Sequence, residues 1–275
     1  MNTVRTLSHP VSASVPQPGL FETAEQPALT LFAIGLIGFG IIGLVTHDFG
    51  MVWQPVAPWF PARTALAWIT AAFELATGVG LLFRPTSAVA ARIMLPGLAL
   101  WMLLKLPSLF VAPQIEAVWL GFGELAMLFA GGLALFAQLA GIPETSSPLA
   151  FLSGQRGLRF ARIFFGLWVI PVGLSHFFYT QATVNLTPKW IPVPVFFAYL
   201  TGAGHIASGL ASLTGVWRRV ALWAETAMIG VLAFVVWLPR IFAAPATRLP
   251  WTAFFITWVI GAAVSALATT EAKND

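Results

Sequence analysis

Trp59-Phe60-Pro61, Ala67-Trp68-Ile69-Thr70, Glu74 and Ala76-Thr77-Gly78 return later in the chain. They reappear as Trp190-Ile191-Pro192, Ala198-Tyr199-Leu200-Thr201, His205 and Ala207-Ser208-Gly209. Ahead of this stretch His47 pairs with His176. Beyond it Leu106-Pro107 and Pro113 match Leu238-Pro239 and Pro245, and Trp119 matches Trp251. The offset is about 130 residues, near half the chain, which marks a unit duplicated and fused.

Composition says where such a unit lives. Hydrophobic residues make up 58% of the chain and charged residues 9%, against roughly 45–50% and 25% in soluble domains. So little charge cannot cover a water-facing surface, and most of the chain must face lipid. The net charge of +4 then reflects loop Lys and Arg beside a membrane, not a nucleic-acid surface. There is no cysteine, which excludes zinc–thiolate and iron–sulfur sites.

Apolar runs long enough to cross a bilayer, roughly 17–25 residues, are predicted near 29–47, 64–83, 90–111, 117–138, 160–178, 195–214, 219–239 and 251–269. The expected fold is all-α, with eight transmembrane helices as two fused four-helix bundles. An even number of spans per half makes this a parallel repeat about an axis along the membrane normal. Residues 1–28 read as a polar tail with no cleavable signal peptide before the first span. The first bundle covers 29–140, a Pro-, Ser- and Gly-rich linker 141–159, the second bundle 160–270, and a short tail 271–275.

Charge sets the orientation. Arg5, Arg84, Arg92, Arg156, Arg159, Arg162, Arg218, Arg219 and Lys273 fall on the side of the termini. Arg63, Lys105, Lys189, Arg240 and Arg248 fall on the other. Nine against five places both termini in the cytoplasm.

Ionisable groups inside a membrane are costly and are functional candidates by default. Thr70, Glu74, Thr77 and Gly78 share one helix face, repeated as Thr201, His205, Ser208 and Gly209. That face reads either as small-residue helix packing or as a proton-handling site. If the two faces meet, Glu74 and His205 could share a proton at a relay or quinone-headgroup site. His47 and His176 end the first span of each half. They are interfacial side chains with wet tips, or they stand at a cavity mouth beneath the Trp59 and Trp190 segments. Those segments are interfacial anchors or lids over a cavity. A haem or metal held between His47 and His176 is disfavoured, because the repeat separates them.

Lys105 and Glu124 agree in depth, and both charges are missing from the second half, where Trp237 and Ile256 stand. This is the pattern of a structural ion pair. Glu225 is expected in a local charge network with Arg218. No phosphate loop, dinucleotide fingerprint, zinc-protease motif or nucleophile elbow is present.

Each half resembles the DoxX-like family of four-span membrane proteins. The second half carries the resemblance in Gly173-Leu174-Ser175-His176, Trp190-Ile191-Pro192-Val193-Pro194, Gly202, His205, Gly209 and Arg218-Arg219-Val220-Ala221. The first half carries it in Gly40, His47, Trp59-Phe60-Pro61, Glu74, Gly78 and Ala90-Ala91-Arg92. The chain departs from the family pattern as a tandem fusion and in having His205 where an acidic residue is commoner.

The resemblance implies a bacterial cytoplasmic membrane. It also implies a membrane subunit of a quinone-linked oxidoreductase, working with a soluble or membrane redox partner and binding an apolar molecule between the bundles. Without cysteine, electrons would have to come through a bound cofactor or that partner. On the residues alone a carrier or binding protein for a small solute or lipid, and a non-catalytic scaffold, stand beside it.

Overall fold

A computed structural model describes residues 26–141 and 149–271; the tails at 1–25 and 272–275 and linker residues 142–148 lie outside that range. All the regular elements described are helical. In chain order they are α1 (Pro27–Thr46), α2 (Arg63–Leu82), α3 (Arg84–Val111), α4 (Glu116–Leu139), α5 (Gly154–Phe178), α6 (Thr180–Leu186), α7 (Pro194–Thr214), α8 (Arg218–Leu232), α9 (Leu238–Ala243) and α10 (Arg248–Ala268).

Seven stretches are long and apolar enough to cross a membrane: α1 to α5, the continuous rod α8–α9, and α10. The protein is an integral membrane protein of helical, multi-pass type. The remaining expected span, the sixth in chain order, is α7, whose 21 residues give it the length. Thr201, His205, Ser208, Ser212 and three glycines keep it from matching the apolar character of those seven. Large apolar side chains such as Ile69, Ile93, Leu103 and Val231 point outward from α2, α3 and α8, as a lipid-facing surface requires.

Several ends differ from the sequence expectation. α3 starts at Arg84, not 90, because Pro85 suits a first helical turn, and only Phe83 separates it from α2. α5 starts at Gly154, inside the expected linker. The seventh span widens to a π turn over Ala233–Trp237. Pro239 has no N–H to give the carbonyl of Val235, and its ring crowds that carbonyl, so the helix loosens just before it. The segment after the fifth span, expected as loop, contains α6.

α4 and α10 are buried along most of their length and form the centre of the molecule. They cross so closely that a side chain on Gly131 would collide with the backbone of Ala263. α1 packs on α2 and α10; α5 packs on α7 and α4.

Corresponding helix pairs meet in the same way. A Cβ on Gly78 would lie 2.9 Å from the Ala33 carbonyl oxygen, and one on Gly209 would lie 2.8 Å from that of Gly166. Gly40 and Ala71 approach to 2.6 Å by the same measure, Gly173 and Gly202 to 2.7 Å. Both Trp-x-Pro segments end in a left-handed residue that starts the next helix, Ala62 (φ 53°) and Val193 (φ 51°). Such a conformation is an outlier for a β-branched residue, so the surrounding turn must impose it. The indoles of Trp119 and Trp251 each donate to a carbonyl six residues back, Pro113 and Pro245, both at 2.9 Å.

The ends of the bundle are tied by charge. At the end carrying the described termini, Glu271 pairs with Arg162 at 2.6 Å and Arg218 at 3.4 Å. At the opposite, distal end, Asp48 accepts from Arg63 and, at 2.5 Å, from Arg248, joining the first half to the second. Burial pushes the Asp48 carboxyl up. Hydrogen bonds from Arg248, the Phe49 amide and Arg63 outweigh it and hold the group below the usual carboxylate range.

Candidate functional site

In the first half the distal segment folds back among the helices. α1 ends at His47, whose left-handed φ of 55° reverses the chain. A tight turn at Met51–Trp53 then carries Trp53 and Gln54 inward. Gln54 is buried: its Oε1 accepts from the Gly50 amide at 2.6 Å, and its Nε2 donates to Glu74 Oε1 at 2.5 Å. Glu74 is eleven residues into α2, roughly 16 Å along the helix, so the segment reaches far below the helix ends. Trp53 is also buried, and its Nε1 donates to Glu124 Oε2 on α4 at 2.6 Å. Lys105 Nζ donates to the Val52 carbonyl at 2.7 Å. The space left around Gln54, Glu74 and Trp53 is about 30 Å³, enough for a water or so and no larger ligand.

The second half is open at the corresponding place. A cavity of about 700 Å³ lies between α4 and the helices α5 to α8 and α10, within the size range of small-molecule sites. Its walls are mostly apolar, and a few polar groups converge on it: Glu124 from α4, Ser175 and His176 from α5, Thr201 and His205 from α7. His205 Nδ1 stands 2.5 Å from Glu225 Oε1 on α8, both side chains being almost wholly buried. The His176 and His205 rings lie 5.4 Å apart, and Glu124 is within electrostatic reach of both His205 and Lys105. One imidazole and one carboxylate at this distance hold a proton between them. The other His205 ring nitrogen remains available to a ligand.

The structure sorts the sequence candidates. Glu74 and His205 both face inward from the middle of their helices, but they line separate cavities and have separate partners, Gln54 and Glu225. Lys105 and Glu124 lie within electrostatic reach of each other, and each also grips one of two consecutive residues of one turn, Val52 and Trp53.

His176 and Thr201 line the large cavity, while His47 is exposed and accepts at Nδ1 from the Trp68 indole at 2.9 Å. Thr70 is half-buried on α2. Trp59 and Trp190 are 81% and 73% exposed and line neither cavity, whereas Pro188 and Ile191 on either side of Trp190 do line the large one. Among the described residues no three His, Asp or Glu side chains gather as a metal site would require.

Glu225 is corrected outright: it bonds to His205, and Arg218 turns to Glu271. Its position in an apolar run was itself a signal. Gln54 carried none, being one polar residue in a Pro-rich segment. Compared with family models, curated proteins and solved structures, the chain matches none.

Proposed function

We propose that the protein binds a quinone, or an apolar molecule of similar size and polarity, in the cavity between α4 and the second half. His205 and Glu225 exchange a proton with its head group. The observation that carries this reading is the buried 2.5 Å His205–Glu225 pair beside a largely apolar cavity of about 700 Å³. Reduction of a quinone takes up two electrons and two protons. The pair is placed to pass protons to the ring oxygens one at a time, while the electrons come from a redox partner. Glu124 and His176 flank the head group. Glu74, tied to Gln54, holds the loop in place.

The same reading takes α7 as the eighth span of a duplicated DoxX-like unit with both termini in the cytoplasm. The Gly78–Ala33 and Gly209–Gly166 approaches, the Trp-to-carbonyl bonds and the shared left-handed turns support the duplication. A carrier for a small lipid-soluble solute is the second reading, favoured by the reach of the cavity wall to the lipid face. Flux into sealed vesicles with no redox partner would select it.

The test is mass spectrometry of the organic extract from protein purified in mild detergent. Near-stoichiometric quinone is expected in the wild type, lost in His205→Gln and Glu225→Gln, and retained in Glu74→Gln. An extract without quinone, or equal amounts in all four proteins, rejects the quinone site.

A further inference from the structure

The walls of the large cavity include residues that also face outward. On α7 Leu200 lines the cavity and is 52% exposed; on α8 Val231 lines it and is 58% exposed. Leu200 is six residues past Pro194, roughly 9 Å below the distal end of α7. Val231 is thirteen residues past Arg218, roughly 20 Å up a bundle about 30 Å tall, which is the same level. A hydrocarbon layer is about 30 Å thick, so both rims of this gap lie within it.

Several other boundaries of the cavity are tied across. Towards the distal end Arg240 Nη2 donates to the carbonyls of Asn185 and Leu186 at 3.0 and 2.9 Å, tying α6 to α9 across the top. Towards the terminal end the His205–Glu225 bond joins α7 to α8, and Gly204 lies against Met228, whose Sδ would be 3.0 Å from a Cβ there. α5 and α7 are closed by the Gly173–Gly202 approach. Between α7 and α8, at the level of Leu200 and Val231, no such tie is found among the described residues, and the side chains on both rims are apolar.

We infer that the cavity is entered sideways from the lipid, between Leu200 and Val231, and that its ligand is an amphiphile with a long apolar chain. The head group sits at His205, which Glu225 backs from behind, and at Glu124, and the chain leaves through the gap into the bilayer. This rests on the reading of the cavity as a binding site. It adds the route and the class of ligand: a molecule dissolved in the membrane, not in water. Met228, unbranched and flexible, stands at the inner edge of the gap and can swing aside as a head group passes.

The absence of cysteine gives a clean test. Thr201→Cys and, separately, Ser175→Cys place one thiol on the cavity wall of the full-length chain. Each is exposed, in open membrane fragments, to a maleimide carrying a long alkyl chain or to a charged, membrane-impermeant thiosulfonate. The alkyl reagent is expected to label at least tenfold faster than the charged one. Adding Val231→Trp at the rim should slow it several-fold, whereas Ile93→Trp on the lipid face of α3 should not.

Equal labelling by both reagents, labelling by neither, or indifference to Val231→Trp overturns the lateral route. Labelling needs no bound quinone. A quinone-free extract with lipid-side labelling would therefore fail the quinone reading alone, and bound quinone with equal labelling would fail the route alone.

Discussion

The distal segments of the two halves, 48–62 and 179–193, begin and end alike and do opposite things. Each follows a helix that ends near a histidine, and each closes on a Trp-x-Pro turn with a left-handed residue. The first drives Trp53 and Gln54 down onto Glu124 and Glu74 and fills its own cleft. The second forms α6, a short helix with no buried residue, which roofs a cleft it does not enter. The helix packing beneath is nearly the same in both halves, so a shared frame is compatible with one plugged half and one open half. What differs is which polar groups have partners supplied by the chain. Glu74 and Glu124 receive donors from the loop, whereas His205 receives Glu225 and keeps one face toward empty space.

If the first loop is a structural plug and the second a roof, truncating them should differ most. Trp53→Ala should cost about 3–5 kcal/mol, the range for removing a large buried aromatic. Leu186→Ala, at the rim of α6, should cost within about 0.5 kcal/mol of nothing. Unfolding in detergent by a graded denaturant reads both, and equal losses would break the contrast.

The shared frame predicts the reverse pattern. Gly78→Leu and Gly209→Leu each force a side chain against a neighbouring backbone. Each should cost about 1–3 kcal/mol by overpacking, and the two should agree with each other. Tolerance of one and not the other would show that the halves are not packed alike.

The smallest effect concerns the tie between halves at Asp48. Its folded pKa lies below the usual carboxylate value, so its ion pairs stabilise the protein above the unfolded value of about 3.9. That contribution fades as pH falls through this value and disappears below Asp48's own lower one. Exposed pairs of this kind are worth about 1 kcal/mol or less. Asp48→Asn should therefore lose up to that amount at pH 7, and the gap to wild type should close as pH falls below 4. A gap unchanged down to pH 3 would remove the ion-pair account.

Much of the fold was legible in residues. Seven of the eight apolar runs became helices long and apolar enough to span a membrane, because a lipid-facing segment must be apolar over a fixed length and must satisfy its own backbone. The inward faces at Glu74 and His205 followed from helical spacing. Pairings were harder. The matched depths of Lys105 and Glu124 gave no sign of the loop residues, Val52 and Trp53, that each of them also bonds. Glu225 was assigned to Arg218 by spacing on one helix, while its partner was on another.

By itself, then, the sequence determined that this chain lives in a membrane, where its long apolar helices run, and which faces of α2 and α7 turn inward. Those properties depend on composition and on periods of a few residues. The tertiary structure decided that Trp53 and Gln54 fill one cleft, that Glu225 meets His205, and that a cavity of about 700 Å³ lies beside that pair. These depend on where separate helices and loops come to rest against each other, through contacts of a few ångströms that no local pattern encodes.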